Sequence, residues 1–322
     1  MPSYSGVWTL TAQYQAKGAG NWPWAPPSLL GDVAVFAGQQ SSISYALMEY
    51  INIASASNTG NFGDLTNNWG AWGTCASTTR GLFAGDVFSS NVIQYITIAS
   101  AGNATDFGDL TRGREYLGGC NSTTRGVFTP SQGSYSESNV VDYVTISSTG
   151  NATDFGDTTQ LCYVSCSSSS QTRGLIGITG NSTGTKNIIE YITISSTGNA
   201  TDFGDLTVAR NNVGSCSSAT RALFAGGVNA SNTDENIIDY VTISSTGNAT
   251  DFGDLTIARR GLGAASNATR AVFIDGYSAS SGVVNVMDYV TIASTGNAAD
   301  FGDSVTKQYL VGACSNANGG VQ

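Results

Sequence analysis

The feature that most constrains the fold is an internal repeat with a period of about 48 residues. The tripeptide Phe-Gly-Asp occurs six times, with its phenylalanine at positions 62, 107, 155, 203, 252 and 301. The spacings are 45, 48, 48, 49 and 49 residues, and four of the six copies follow an unchanged Gly-Asn-Ala-Thr-Asp stretch. A period of about 40–50 residues is typical of β-propellers and of helical arrays. The repeat therefore limits the chain to these two architectures.

A second repeated block decides between them. Each triplet is preceded by a segment such as Asp239-Tyr240-Val241-Thr242-Ile243, in which β-branched and aromatic residues dominate. Such segments, bounded by Gly, Asn, Asp and Ser, indicate strands, and no helical period is present. Each unit divides into four short strands, and the third is hydrophobic on both alternating faces. A sheet packed between two neighbours needs this pattern, so the unit is predicted to be a propeller blade.

The two ends of the chain set the number of blades. Residues 33–38 form a second strand that lacks a first, whereas residues 310–314 form a first strand after the last triplet. If the C-terminal strand completes the N-terminal blade, six blades result and no sheet edge is left open. We therefore predict an all-β, six-bladed propeller over residues 31–322. A separate Trp/Pro-rich docking segment is predicted at residues 1–30.

The repeats resemble two groups of known sequences. The succession Thr220-Arg221-Ala222-Leu223-Phe224-Ala225-Gly226-Gly227, Tyr240, Phe252 and Ala258-Arg259 is similar to a kelch repeat, although Phe replaces Trp and only this repeat has a Gly-Gly pair at the end of its second strand. The phrase Tyr-Ile-Thr-Ile-x-Ser-x-Gly-Asn-Ala-Thr-Asp-Phe-Gly-Asp-Leu-Thr resembles repeats in virion proteins of marine tailed bacteriophages. The N-terminal stretch Gly6-Val7-Trp8-Thr9-Leu10 belongs to a segment similar to a signature of phage structural and tail proteins.

These resemblances imply a kelch-like propeller and a non-enzymatic structural role in a tailed phage virion. A tail fibre or receptor-binding appendage is the first expectation. A capsid decoration or knob protein and a cellular protein-interaction propeller are the alternatives. The implied partners are other virion proteins and a host-surface glycan or receptor, with several copies in the particle. The protein would be made in the host cytoplasm and localise to the virion.

Composition argues against several classes of function. The 322 residues include no histidine, which removes Ser-His-Asp catalysis and most zinc enzymes. The formal net charge of −10, without a basic stripe, disfavours nucleic acid as a partner. No apolar run approaches the ~18 residues of a membrane helix, and the N-terminus lacks a signal-peptide pattern.

A six-bladed sialidase is the sharpest enzymatic alternative, but its Ser-x-Asp-x-Gly-x-Thr-Trp boxes are missing. We expect no enzyme and no cofactor.

Charged residues at repeated positions are expected to be structural, because every blade needs them equally. Arginine and aspartate should form buried forks between blades. The residues concerned are Arg80, Arg125, Arg173, Arg221 and Arg270, with Asp109, Asp157, Asp205, Asp254 and Asp303. The alternative is a calcium site built from Asn103, Asp106 and Asp109 or their equivalents. Their spacing differs from that of an EF-hand loop, so we expect no metal.

The six cysteines are expected to be free thiols. Five of them, Cys75, Cys120, Cys166, Cys216 and Cys314, are assigned to one position in successive first strands, with Ala265 in the sixth. Equivalent atoms in adjacent blades should lie farther apart than the ~4.4–6.8 Å between Cα atoms that a disulfide requires. Cys162 is the one extra cysteine.

Two features are not explained by the scaffold. Residues 6–27 have no copy elsewhere, and Trp8, Trp22 and Trp24 either dock on another virion subunit or plug the propeller. The loops between second and third strands share neither length nor sequence, although all should emerge on one face. Such loops either carry recognition or have drifted freely. The candidate ligand-facing residues in them are Tyr135, Asn181, Asn229, Asp234 and Tyr277.

Overall fold

A computed structural model describes residues 29, 31–40, 47–66, 72–86, 88–133 and 136–317. Over these residues the regular secondary structure consists of β-strands. No helix in this part of the chain is long and apolar enough to cross a membrane. Trp8, Trp22, Trp24 and Tyr135 lie outside the described residues, as does the predicted docking segment apart from Leu29.

Six four-stranded antiparallel sheets form the blades of a six-bladed β-propeller. In each blade the inner, second, third and outer strands lie side by side in that order. Blade 1 contains Gln308–Ser315, Val33–Gln40, Leu47–Asn52 and Gly60–Asp64; blade 2 contains Gly73–Ala76, Arg80–Ala84, Val92–Thr97 and Thr105–Asp109; blade 3 contains Gly119–Asn121, Arg125–Phe128, Ser138–Thr145 and Thr153–Cys162. Blade 4 contains Val164–Ser169, Arg173–Asn181, Gly184–Thr193 and Thr201–Asp205; blade 5 contains Gly214–Ser217, Arg221–Ala225, Ile237–Thr242 and Thr250–Asp254; blade 6 contains Gly263–Ser266, Arg270–Ile274, Val286–Thr291 and Ala299–Asp303. Two short ribbons pair Arg210–Asn211 with Val228–Asn229 and Tyr277–Ser278 with Gly282–Val283.

Blade 1 joins the two ends of the chain. Its inner strand comes from the C-terminal region and pairs antiparallel with Val33–Gln40, so that Val35 lies opposite Cys314. The six inner strands contact one another in a closed ring around a central channel. The predicted closure by the C-terminal strand is confirmed, and it leaves no blade without its inner strand.

The hydrophobic core lies between the blades. Leu82 and Ile93 of blade 2, for example, share one buried cluster with Phe128 and Val144 of blade 3. In the third strand of blade 5, Ile238 and Val241 point to opposite faces, and each is buried in the core shared with a different neighbouring blade. This two-sided burial is the pattern that the sequence predicted for a sheet between two neighbours.

The Phe-Gly-Asp triplet fastens each outer strand to the following blade. The Ala152 N–H donates to the Asp109 carbonyl at 2.7 Å, and the Asp109 N–H donates to Asn151 Oδ1 at 3.1 Å. Equivalent pairs of bonds join the other blades through Asp64, Asp157, Asp205, Asp254 and Asp303. The aspartates predicted at the blade interface therefore lie there, and they act through their main chain.

The five repeated arginines have partners that differ from the expected carboxylates. The Arg221 guanidinium lies 4.5 Å from the centroid of the Tyr240 ring, and its Nη1 donates to the Ile292 carbonyl of the next blade at 2.8 Å. Arg221 pairs with Thr242 at one end of the third strand, whereas Asp254 pairs with Ile237 at the other end. The repeated arginines and the triplet aspartates lie at opposite ends of the third strands in the other blades too, so the expected fork between blades is wrong: no such ion pair forms among the described residues. The same contacts recur at Arg80, Arg125, Arg173 and Arg270.

The third-strand carboxylates instead bind the connection that arrives from the preceding blade. Thr207 Oγ1 donates to Asp239 at 2.6 Å, and Arg210 forms a fully buried ion pair with the same carboxylate. Arg114–Asp142 and Arg259–Asp288 are the equivalent ion pairs. Blades 1, 2 and 4 carry Glu49, Gln94 and Glu190 at this position, and each accepts hydrogen bonds from a connection threonine. Burial raises the pKa of Glu49 and Glu190.

The six cysteines are free and buried. Burial raises the pKa of Cys120 and Cys216 to about 12. The assignment of Cys166 to the shared position is wrong. Cys216 lies opposite Leu223, and in blade 4 the residue opposite the equivalent Leu175 is Ser168. Cys166 lies two residues earlier, at the position that Gly214 occupies in blade 5.

Candidate functional site

Two sets of segments emerge on one face of the ring, because antiparallel strands alternate in direction. They are the loops between second and third strands, and the connections from each outer strand to the next inner strand. We call this the connection face. The Gly227 N–H donates to the Arg259 carbonyl at 2.9 Å, and Arg260 and Tyr277 exchange main-chain hydrogen bonds of 2.9 and 2.8 Å. Loops and connections therefore support one another around the channel.

Four of the connections share an unusual backbone conformation at the channel mouth. Seven residues after the triplet aspartate, φ is +51° at Tyr116, +55° at Asn212, +63° at Gly261 and +60° at Leu310. The left-handed conformation costs roughly 1–2 kcal/mol at a non-glycine residue. Backbone strain of this kind concentrates at functional sites.

The tyrosines that do not belong to the repeats gather at this mouth. Within the described residues, the tyrosines outside the repeated third-strand position are Tyr116, Tyr163, Tyr277 and Tyr309, and all four lie on the connection face. The ring centroids of Trp72 and Tyr116 are 4.5 Å apart, and Tyr116 stacks on Tyr163 at 6.0 Å with an interplanar angle of 16°. The departures from the repeat thus place an aromatic cluster at the entrance to the channel.

A cavity of about 490 Å³, which we call the vestibule, opens at this entrance. Its wall consists of Tyr116, Asn212, Arg260, Tyr277, Val283, Tyr309 and Leu310. Next to it in the channel lies a second cavity of about 90 Å³, which is lined by the starts of the inner strands and by Trp72. Ligand sites in proteins commonly measure ~300–1,000 Å³, and they combine aromatic walls with a few polar groups.

Arg260 connects two of the predicted ligand-facing residues. Its Nη1 lies 3.3 Å from Asp234 Oδ1, and its guanidinium carbon lies 4.8 Å from the centroid of the Tyr277 ring. Asp234 Oδ2 also accepts a hydrogen bond from the Ala279 N–H at 2.6 Å. The positive charge in the vestibule wall is therefore compensated by a nearly buried carboxylate.

The other predicted loop residues have local roles. Asn181 Oδ1 accepts the Thr183 N–H at 3.0 Å and thereby supports the hairpin turn of blade 4. Asn229 Oδ1 accepts the Ser231 N–H at 2.9 Å, and its Nδ2 donates to Glu235 at 2.6 Å. These two residues shape their loops and do not line the vestibule. Tyr135 lies outside the described residues.

Trp72 carries a polar group without a partner. Its Nε1 is buried and has no hydrogen-bond acceptor among the described residues. Leaving a buried donor unpaired costs roughly 1–3 kcal/mol, and a bound oxygen atom would remove this cost. Trp72 lies eight residues after the triplet aspartate of its repeat. At the same position other connections have aliphatic residues, namely Leu117, Val213, Leu262 and Val311. Trp72 therefore differs from the residues at this position in the other repeats, and it lies in the wall of the channel.

Four of these residues, Trp72, Tyr116, Arg260 and Tyr309, did not emerge as site candidates from the sequence. A comparison of the six copies position by position would have identified them. All four lie six to eight residues after a triplet aspartate, in a stretch where the copies differ from one another. The strands are the segments in which the copies agree with one another, whereas this site is built from positions at which the copies differ.

The arrangement offers stacking surfaces, hydroxyl and amide groups and one compensated cation, which are contacts for binding a ligand. Over the described part of the chain, no three His, Cys, Asp or Glu side chains are placed to share a metal ion. Asn103, a member of the alternative calcium site, accepts the Asp64 N–H at 3.0 Å and so belongs to the blade interface.

No family model matches the chain, and no curated protein matches it.

Proposed function

We propose that this protein is a non-enzymatic structural protein of a tailed phage virion, exposed as a tail fibre or receptor-binding appendage. Its connection face would meet the host surface. The observation that carries the proposal is the gathering of Trp72, Tyr116, Tyr277 and Tyr309 around one end of the channel. Aromatic side chains around a rigid opening are typical of recognition sites.

The opposite face of the propeller has a different character. Its turns consist of small polar residues, such as the exposed Ser244, Ser245 and Thr246 of blade 5. The Leu29 N–H donates to the Ala99 carbonyl at 2.8 Å on this side, just after the third strand of blade 2. Leu29 is therefore joined to the propeller on the side away from the vestibule. This placement suits a division between attachment through Trp8, Trp22 and Trp24 and recognition through the connection face.

The virion assignment is supported by the resemblance of the repeats to virion proteins of marine tailed bacteriophages, whereas their kelch-like succession bears on the fold alone. A closed ring of blades provides a rigid support for loops, and loops on rigid supports commonly carry recognition. Several copies on one particle would add avidity to individually weak contacts.

The proposal is tested by locating the protein and by blocking adsorption. Immunogold electron microscopy with antibodies to the propeller is expected to label an appendage of the phage particle. The purified protein is expected to compete with particles for adsorption to host cells. A variant in which a Gly-Ser loop replaces residues 229–235 should compete less well. The double variant Ser244→Ala, Thr246→Ala on the opposite face serves as the control and should compete like the native protein.

Other outcomes assign the alternatives. A decoration protein would be indicated by two results together: antibody label on the capsid, and adsorption of particles that the purified protein does not reduce. Unlabelled particles would exclude a virion role and would favour a cellular interaction propeller.

A further inference from the structure

We infer that the vestibule is a binding site for a neutral saccharide, held between Tyr116, Tyr277 and Tyr309. The inference names the ligand class for the recognition face and rests on the proposed function for its biological role. Binding itself can be measured on the purified protein, whether or not the protein belongs to a virion.

The first step is the match between tyrosine and sugar surfaces. A pyranose ring presents apolar C–H groups on its faces and hydroxyl groups around its rim, and tyrosine combines an apolar ring with a polar tip. Tyr116, Tyr277 and Tyr309 line the same cavity. Their hydroxyl groups form no hydrogen bond with any described residue. These groups are therefore available to a ligand that enters between the rings.

The second step concerns the floor of the vestibule. The buried Nε1–H of Trp72 lacks an acceptor among the described residues, and Trp72 lines the channel section next to the vestibule. In the same section Thr74 Oγ1 donates to the Ala313 carbonyl at 2.5 Å, and Ser215 Oγ donates to the Ser167 carbonyl at 2.9 Å. Both hydroxyl groups keep lone pairs that can accept hydrogen bonds. A sugar hydroxyl can accept from Trp72 and donate to these oxygens.

The third step is the charge of the ligand. Arg260 is the cation of the vestibule wall, and it already pairs with Asp234. The net charge of the whole chain is −10, so an anionic ligand would meet an unfavourable long-range field. A neutral ligand avoids this repulsion and still uses the stacking and hydrogen-bonding groups.

The fourth step separates a saccharide from a proline-rich peptide, which also binds to aromatic grooves. An extended peptide needs a groove that runs across the surface. The vestibule instead leads inward to a channel section lined by residues from several inner strands, including Thr74, Ser167 and Ser215. A cavity that deepens along the ring axis suits end-on entry of a compact sugar.

The test begins with full-length protein on an array of neutral oligosaccharides. Titration calorimetry follows with the array member that binds most tightly. Tyr277→Ala and Tyr309→Ala are each expected to weaken binding at least tenfold. Trp72→Phe keeps an aromatic ring, removes the N–H and should also weaken binding. Leu161→Ala is the matched control, because Leu161 is 50% exposed on the same face but does not line the vestibule. Its binding should equal that of the native protein, and melting curves verify that each variant is folded.

Two results would overturn the inference: an array without any bound neutral saccharide, or binding that persists in both tyrosine variants. A synthetic peptide of residues 21–28, Asn-Trp-Pro-Trp-Ala-Pro-Pro-Ser, is titrated in parallel. If the peptide binds, loses affinity in the tyrosine variants and no saccharide binds, the vestibule is a peptide site. None of these readouts depends on virion localisation, so failure here is distinct from failure of the proposed function.

Discussion

Arg210 and Asp239 form an ion pair from which water is excluded: Nη1 and Oδ2 lie 2.9 Å apart, and neither side chain is exposed. Arg210 also donates through Nε to the Gly226 carbonyl at 2.7 Å. The arginine thus ties the connection from blade 4 to both the second and the third strand of blade 5. Blade 4 has Cys162 and Glu190 at the corresponding positions.

Replacement of one partner should therefore destabilise the protein strongly. Arg210→Met leaves the Asp239 carboxylate buried without a cation, which costs about 3–5 kcal/mol of unfolding free energy. The double variant Arg210→Cys, Asp239→Glu reproduces the combination found in blade 4 and should recover more than half of this loss. Urea denaturation measures both variants. A loss below about 1 kcal/mol in Arg210→Met would show that the pair contributes little.

The glycine of the triplet should be replaceable only at great cost. At Gly253, where φ is +146°, an added Cβ would lie 2.4 Å from the Gly296 carbonyl oxygen of the next blade. Gly247 has a similar φ of +156°, but nothing lies within 4 Å of an added Cβ. Gly253→Ala should therefore lower the melting temperature far more than Gly247→Ala, which experiences backbone strain alone. Equal effects in calorimetry would argue against the interblade clash.

The buried glutamates should make stability depend on pH. Burial raises the pKa of Glu190, so the folded protein binds this proton more tightly than the unfolded chain does. Below the unfolded pKa both states are protonated and no penalty arises. As pH rises through the raised pKa, the folded protein must either keep the proton on Glu190 or bury a charged carboxylate. The free energy of unfolding therefore decreases as pH rises.

Glu190→Gln should raise the melting temperature at pH 7 and flatten its decrease between mildly acidic and neutral pH. The substitution reproduces the arrangement of blade 2, where Gln94 Oε1 accepts the Thr66 N–H. A matched control is Asp239→Asn, which removes a paired carboxylate and should lower stability at pH 7. Differential scanning calorimetry over this pH range measures both variants, and a profile unchanged by Glu190→Gln would contradict the role given to this carboxyl group.

Removal of residues 308–322 should abolish cooperative folding. The deletion removes the inner strand of blade 1, exposes the edge of Val33–Gln40 and opens the ring of inner strands. We expect aggregation or the loss of a cooperative melting transition. A soluble truncated protein with the melting curve of the full chain would show that the C-terminal strand does not close the ring.

Much of the scaffold could be predicted from the sequence, because it depends on patterns that each repeat carries within itself. The two-sided hydrophobic third strand, in which Ile238 and Val241 are buried in the cores on opposite sides of blade 5, specifies a blade packed between neighbours. The incomplete units at the two ends specify closure through residues such as Val35 and Cys314. The partners of the charged residues could not be predicted in the same way. Whether Arg221 meets a carboxylate or a tyrosine ring depends on the strand register and on the end of the strand at which each residue lies.

The sequence by itself determined the repeat, the all-β architecture, the number of blades and the face from which the variable loops emerge. These properties follow from local periodicity and from the alternating direction of antiparallel strands. Only the tertiary structure decided the candidate site. Trp72, Tyr116, Tyr277 and Tyr309 come from different blades, and the closed ring brings them together around the channel. Their proximity depends on the curvature of the whole ring, which no single repeat encodes.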